Sequence, residues 1–359
     1  MLKVLVTGGC GYIGSHTLVE LLAAGFDAVS IDDNSRSSET ILDGVERITG
    51  KRVRNYRVDL RDAQLTRTCF SENRDAVAVI HFAAYKTVPE SVANPLLYYD
   101  NNINSLLNVL QCTEEHGIPG FIFSSSCSVY GNPKELPVTE DTPFGEAECP
   151  YARTKQVGEH IIKDLSRVSR TQFVSLRYFN PVGAHPSGKI GEVPYGEPDN
   201  LVPRITRAAA GNDERRALLV VHGSDYNTRD GTCIRDYIHV CDIARAHVLA
   251  INHLRKSPIA NRQSPIALNL GSGSGTTVLE LIAAFERATG QKLTYRLGPR
   301  RPGDVEAVYA NKDKAAAELG WRPRFSTDEM MRTAWLWQQT LARSTPPPSP
   351  PLTSPSNLC

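Results

Sequence analysis

The chain has 359 residues, with 40 Lys and Arg against 39 Asp and Glu, a formal net charge of +1 and 41% hydrophobic residues. That is enough apolar material for one large domain or two intimately joined ones. The balanced charge offers no basic face for nucleic acid and no like-charge block for a membrane surface, and no run is apolar enough to span a bilayer.

Short apolar runs alternate with amphipathic stretches through the first half. Lys3–Thr7 reads as a strand and Tyr12–Ala24 as the helix after it. A second strand over Ala28–Asp32 leads to a helix over Ile41–Thr49. Strands over Val53–Asp59 and Val77–Phe82 precede a helix over Leu96–His116. Phe121–Ser125 is followed by a helix over Pro150–Val168, and Phe173–Phe179 closes the series. Several of these strands are almost continuously apolar, as burial on both faces requires. The alternation predicts an α/β fold of right-handed βαβ units, a Rossmann-type doubly wound parallel sheet.

After Asn180 the texture changes. Residues 181–235 are rich in Gly, Pro and polar residues around one helix, Leu201–Ala210. Further helices are expected over Thr277–Thr289, after the Gly271–Gly275 turn, and over Lys312–Leu319 and Asp328–Leu341. A strand near Ile266–Leu270 is a candidate to return to the first sheet. The expected division is a dinucleotide-binding domain over 1–180, a smaller C-terminal substrate-binding domain mainly over 181–343, and a disordered Pro/Ser-rich tail over 344–359. The eight cysteines are scattered, with no C-x-x-C pair and no His/Cys cluster, so neither a metal nor a disulfide framework is expected. Reduced thiols, and an N-terminus that enters the fold at once without a signal peptide, suggest a cytoplasmic protein.

The first functional signal lies between the first strand and the first helix. Gly8, Gly11 and Gly14, with Tyr12 and Ile13 among them, are spaced G-x-x-G-x-x-G. Glycine there permits the tight turn and lets the backbone approach a pyrophosphate at the helix N-terminus. The next strand ends in Asp32 and Asp33, with Asn34 following. A carboxylate at that place accepts from a ribose and repels a 2′-phosphate, which favours NAD over NADP. Arg36, in the same turn, is of a type that binds that phosphate. Asp59, with Leu60 after it, is a candidate either for the adenine edge or for a helix N-cap.

Tyr151 and Lys155 stand four residues apart at the start of a helix and share a face. Ser124, Ser125 and Ser126 end a sheet strand. With the glycine turn, these residues resemble the extended short-chain dehydrogenase/reductase superfamily, whose active sites use Ser, Tyr and Lys from these places. The chemistry explains the choice. Taking hydride from a carbinol carbon requires a base for the hydroxyl proton, and tyrosine at a pKa of about 10 is a poor one. Bringing it to about 7 needs roughly 4 kcal/mol of preferential stabilisation of the phenolate. Lys155 and the cationic ring of NAD⁺ are suitable neighbouring charges. Ser126 would orient the substrate hydroxyl or relay its proton.

Longer segments narrow the resemblance. Arg177-Tyr-Phe-Asn-Pro-Val-Gly-Ala-His-Pro-Ser-Gly188, Ile80-His-Phe-Ala-Ala-Tyr-Lys86 and Arg235-Asp-Tyr-Ile-His-Val240 resemble the UDP-glucose 4-epimerases, and the likeness runs from about residue 2 to 340. It implies interconversion of UDP-galactose and UDP-glucose through a 4-keto sugar, with NAD retained, and a homodimer formed through a helix pair. It implies cofactor contacts at Phe82, Ala83, Lys86, Asn101 and Phe179. Lys86, Ser126, Tyr151, Asn180, Asn200, Leu201, His222, Arg235, Arg301 and Asp304 are implied to hold the UDP-sugar. Val308 stands where some relatives carry a tyrosine that narrows the sugar pocket, which would leave room for an N-acetyl group. Nucleotide-sugar 4,6-dehydratases share the fold but place an Asp-Glu pair after the strand with the serine or threonine. Here Cys127 and Ser128 follow Ser126.

Overall fold

The described residues of the computed structural model are 1–211, 218–256, 265–301 and 304–344. The first half alternates as β1 (Lys3–Thr7), α1 (Tyr12–Ala23), β2 (Asp27–Ile31), α2 (Ile41–Thr49), β3 (Arg54–Tyr56), α3 (Ala63–Glu72) and β4 (Ala76–His81). Then come α4 (Val88–Ala93), α5 (Pro95–Tyr99), α6 (Ser105–Glu115), β5 (Gly120–Ser126), α7 (Pro150–Leu165) and β6 (Gln172–Tyr178). The helix expected over Leu96–His116 is present as α5 and α6 joined by a π-turn over Asp100–Asn104. β3 is shorter than expected because the Val58 amide turns back to the Tyr56 carbonyl. The sequence reading missed α3, although Asp62 caps it by accepting from the Gln64 and Leu65 amides at 3.0 and 2.9 Å.

The second half holds β7 (Asn180–Val182), α8 (Leu201–Ala210), β8 (Leu219–His222), β9 (Ile234–His239), α9 (Val240–Lys256) and β10 (Ile266–Leu270). It continues with β11 (Gly275–Thr277), α10 (Val278–Thr289), β12 (Tyr295–Gly298), β13 (Ala307–Val308), α11 (Asp313–Leu319) and α12 (Thr327–Ser344). The expected tail falls almost wholly on residues 345–359, which lie outside the described residues.

Among the described residues, seven strands form a parallel sheet in the order β10-β6-β5-β4-β1-β2-β3. Strand order reverses between β1 and β4, and that switch point opens a crevice at the C-terminal strand ends. Alternation along β1 explains the two layers. Val4 and Val6 pack into one core with Leu18, Ile251 and Trp321, and Leu5 packs into the other with Phe70, Phe121 and Ile162. β9 is the centre of a smaller sheet, pairing with β7, β11 and β13. Behind it Val202, Ile205, Leu281, Phe285 and Met331 make a third core. No helix among the described residues is long and apolar enough to cross a membrane.

The chain then crosses back. β10 joins the seven-stranded sheet beside β6, as the sequence suggested, and α9 packs on α1, which it did not. Trp321, fully buried after α11, donates Nε1–H to the Asp242 carbonyl of α9 at 2.8 Å. This ring fastens the returning segments to the first core. Trp321→Ala is expected to cost about 3–5 kcal/mol of stability, the usual scale for removing a buried large aromatic. A urea midpoint within error of the parent would show that the returning segments are not held there.

Candidate active site

The glycine turn sits where β1 meets α1 at the switch point. Gly8 has φ +71°, and a Cβ on it would lie 2.9 Å from the Ala83 amide nitrogen of the neighbouring strand end. A Cβ on Gly14 would be driven into the Gly8 carbonyl oxygen. Both positions therefore demand glycine, and they leave the α1 N-terminus, which has no side-chain cap, facing the crevice.

Asp32, 9% exposed at the end of β2, pins this turn. One carboxylate oxygen accepts from the Cys10 amide at 3.0 Å, and the other accepts from the Asn34 amide at 3.0 Å and Ser37 Oγ at 2.7 Å. Arg36 is committed elsewhere. Its two Nη atoms donate to both Glu90 oxygens at 2.7 Å, and its guanidinium lies 4.1 Å from the Tyr85 ring centroid and 4.8 Å from that of Tyr195. Asp59 is not a helix cap, since Asp62 holds that place. Its carboxylate instead takes the Arg61 guanidinium at 2.7 Å, while it lines the same crevice.

The crevice opens into a cleft of about 1520 Å³ running from the glycine turn to β13. Single small-molecule sites occupy about 300–1,000 Å³, so this one has room for two nucleotide-sized ligands or for one that moves. Tyr151, Lys155 and Ser126 meet at its middle. Lys155, 5% exposed, donates from Nζ to the Ser124 carbonyl at 2.7 Å and lies 5.0 Å from the Phe123 ring centroid and 5.9 Å from that of Tyr151. Burial is the largest effect on the Tyr151 phenol and pushes it up, against a hydrogen bond with Ser126 that lowers it. Burial pulls Lys155 down to about 8, opposed by the Glu159 carboxylate.

The far end of the cleft is built by the small sheet. Asn180 on β7 pairs with Tyr237 of β9, and Val308 on β13 pairs with Arg235 of β9, so three distant sequence positions become neighbours. Arg235 and Arg301 converge on Asp304, at 3.7 and 2.9 Å. Residues 302–303, between Arg301 and Asp304, lie outside the described residues. The side-chain oxygen atoms Asn180 Oδ1 and Ser128 Oγ are buried without a protein partner, on residues that line the cleft. Such atoms cost free energy unless something polar meets them. Lys86 and Asn200 meet at Glu192, whose Oε1 accepts from them at 2.9 and 3.3 Å. The sequence held no signal for Glu192.

Of the remaining candidates, Gly11, Tyr12, Ile13, Asp33, Asn34, Leu60, Phe82, Ala83, Asn101 and Phe179 also line the cleft. Leu201 and His222 do not. Leu201 packs on the third core, and His222 reaches toward the Pro299 carbonyl at 3.4 Å. Glu159 was not expected from the sequence, although its place four residues after Lys155 puts it on the same helix face.

A family model, GDP-mannose 4,6 dehydratase, matches residues 5–334. The chain is 48% identical over 338 residues to UDP-glucose 4-epimerase 2 of Oryza sativa subsp. japonica, covering 93% of this chain and 81% of that protein. It is 46% identical over 340 residues to the UDP-glucose 4-epimerase of Bacillus subtilis, covering 94% and 97%. The crystal structure of UDP-glucose 4-epimerase from Bifidobacterium longum, in complex with NAD⁺ and UDP, superposes with a TM-score of 0.89 at 45% identity. That superposition covers 96% of this chain and all of the other.

Four buried histidines generate a pH dependence. Burial pulls His16, His81, His239 and His247 down to about 3, against about 6.5 in an unfolded chain. Below about 6.5 the unfolded chain takes up protons that the folded state refuses. Stability is therefore complete above that pH and falls below it, by about 1.36 kcal/mol per unit for each histidine. The thermal midpoint is expected to drop between pH 7.5 and 5.5. A flat midpoint across that window would mean that these rings are protonated in the fold or reachable by water.

Proposed function

The chain belongs to the UDP-glucose 4-epimerase family, and on that premise we propose which of its residues carry the reaction. The protein is an NAD-dependent isomerase that interconverts UDP-galactose and UDP-glucose. The observation that carries the assignment is the meeting of Tyr151, Lys155 and Ser126 between a glycine turn and a pair of arginines in one cleft.

The residues fit the cofactor. The cradle at Gly8 and Gly14 excludes side chains, the α1 N-terminus faces it, and Arg36 is occupied by Glu90 rather than free to bind a 2′-phosphate. Gly8, Gly11, Tyr12, Ile13 and Gly14 would hold the pyrophosphate. Asp32, with Asp33 and Asn34, would hold the ribose, Asp59 and Leu60 the adenine, Lys86 would lie near the phosphates, and Lys155 and Phe179 would hold the nicotinamide end. NAD, when bound, supplies a hydride acceptor and donor and, when oxidised, a positive ring beside Tyr151. Residues 1–180 serve mainly this role and 181–343 mainly the UDP-sugar, with α9, β10 and α11 belonging structurally to the first.

Tyr151 takes the proton of the sugar 4′-hydroxyl and later returns it. Burial raises the phenol, so the base needs cations beside it, and we assign that part to Lys155, 5.9 Å from the Tyr151 ring centroid. Ser126 orients the hydroxyl. Asn180, Asn200, Arg235, Arg301 and Asp304 anchor the UDP, because guanidinium pairs grip phosphate oxygens at two points. The sugar is held loosely and turns its other face to the cofactor before reduction, for which the volume of the cleft leaves room. Val308, buried beside Phe179 and Tyr130, puts a small side chain where a tyrosine would narrow the pocket. The dehydratase named by the family model shares the fold, but no carboxylate occupies positions 127 or 128 to eliminate water.

We place the protein in the cytoplasm, in keeping with its seven unpaired described cysteines. We also propose a homodimer. Leu96, Tyr99, Ile103 and Leu107 recur at three- and four-residue spacing along the α5–α6 run, and Leu96 is 80% exposed. A stripe of this kind on a helix pair suits a second copy of the same chain. Leu96→Asp is expected to convert a dimer to half its mass in sedimentation. A wild-type monomer, or an unchanged dimer, would refute the interface.

Tyr151→Phe keeps the ring but removes the base. Turnover of UDP-galactose to UDP-glucose is expected to fall 10²–10⁴-fold, on the order expected for a lost acid–base group. Bound NAD and UDP affinity should persist, and raising the pH should not rescue the rate. Wild-type turnover with full cofactor would place the base elsewhere.

A further inference from the structure

Behind the catalytic residues lies a buried ion pair that none of the roles above explains. Tyr151, Lys155 and Glu159 occupy one face of α7 at successive four-residue steps. Glu159 is 8% and Arg177 5% exposed. The guanidinium donates from Nε and Nη2 to the two carboxylate oxygens at 2.9 and 2.7 Å. Ser125 Oγ donates to the same carboxylate at 2.5 Å. Ser125 stands between Ser124, whose carbonyl receives Lys155, and Ser126, which lies beside Tyr151. Arg177 extends the network, donating from Nη1 to Tyr130 Oη at 2.8 Å and the Glu140 carbonyl at 3.2 Å. Tyr130 Oη donates in turn to Asn269 Oδ1 at 2.6 Å. One carboxylate thus ties the helix that carries Tyr151 and Lys155 to the strand end that carries the serines.

We propose that Glu159 and Arg177 are positioning residues for the epimerase reaction, a balanced pair that seats the Lys155 ammonium and keeps it charged beside Tyr151. This rests on the assignment of Lys155 given above. The surroundings leave few other charges to do so. His81 of β4 is buried and neutral, and burial pushes the Cys127 thiol up to about 12 and the Tyr178 phenol higher still. Cys149, ahead of α7, accepts from the Ala152 amide. From α4 and α5, Tyr98 donates to Glu90, and the Glu90 carboxylate is held by Arg36. Asp100 of the π-turn is paired with Arg61. Glu159 is the charged group that supports the ammonium against burial, and Arg177 is paired with that carboxylate.

A buried ion pair that merely braces the fold would lower activity or stability when broken, without direction in pH. A pair that sets the field at Lys155 moves the alkaline limb of the kcat profile with a sign. Glu159→Gln leaves an uncompensated guanidinium near the ammonium, so the limb moves down. Arg177→Met leaves an uncompensated carboxylate, so the limb moves up. Each shift should be about one pH unit, the scale on which a neighbouring charge moves a titrating group.

The experiment is kcat against pH on the NAD-loaded enzyme for wild type, both single variants and the double variant, with Lys155→Met alongside. Opposite shifts in the two single variants support the proposal, and unchanged or parallel limbs overturn it. If either single variant fails to fold, the double variant decides, since it leaves no buried ion unpaired. Its limb should fall below that of wild type, because the nearer charge is lost, and a limb at the wild-type position overturns the proposal. Wild-type turnover in Lys155→Met would instead overturn the assignment of Lys155. Loss of activity there, with unmoved limbs in the others, would overturn the positioning role alone.

Discussion

A buried ammonium is the constraint around which the site is arranged. Lys155 is almost sealed from water and held at 2.7 Å by a single backbone carbonyl. Burial opposes both its charge and the deprotonation of Tyr151. Neither residue has the ionisation state the chemistry wants by virtue of its own environment. Each needs an opposite charge, and their shared helix face supplies the first such pairing. Burial makes that pairing costly, and the same burial makes it effective, because opposite charges attract most strongly where water is excluded.

That requirement explains why the chain does not simply fold as two consecutive domains. The switch point between β1 and β4 fixes the cofactor crevice, and β5 and β6 bring the serines and Arg177 to its edge. The end proposed for UDP faces this edge, because the small sheet is set on β9 and reached directly from β6 through Phe179 and β7. α9 then continues straight from β9 onto α1, and β10 closes the large sheet beside β6. The two halves share backbone at several places rather than at one linker. Lys86 and Asn200 meeting at Glu192 carry the same connection across the mouth of the cleft.

Much of this was legible in the sequence, for identifiable reasons. A strand buried on both faces leaves a nearly unbroken apolar run, so β1, β4, β5 and β6 were visible, and the glycine turn was visible because no other residue fits positions 8 and 14. Tyr151 and Lys155 followed from helical spacing. What failed depended on partners distant in the chain. Asp59 and Asp62 look alike as caps, and only Arg61, folding back on Asp59, separates them. Arg36 could have bound a phosphate until Glu90, far along the chain, was seen to occupy it. Among the described residues β8 and β12 pair only with each other and carry no long apolar run, and the residues of α9 gave no hint that they would pack on α1. Arg235 and Arg301 read as ordinary surface residues without the family likeness. Asp304, which joins them, is what makes them a pair.

The central claim is that the hydrogen at C4 of the sugar leaves and returns within one closed site, with Tyr151 handling only the hydroxyl proton. The most direct measurement is the fate of deuterium placed at C4 of UDP-galactose, followed by mass and NMR in the UDP-glucose formed in ordinary water. Full retention at C4 of the product is expected, with a slowed rate when that step limits turnover and no reduced cofactor accumulating in solution. Loss of the label to water would mean that C4 is deprotonated instead, and the roles given to the glycine turn, Tyr151 and Lys155 would all be contradicted.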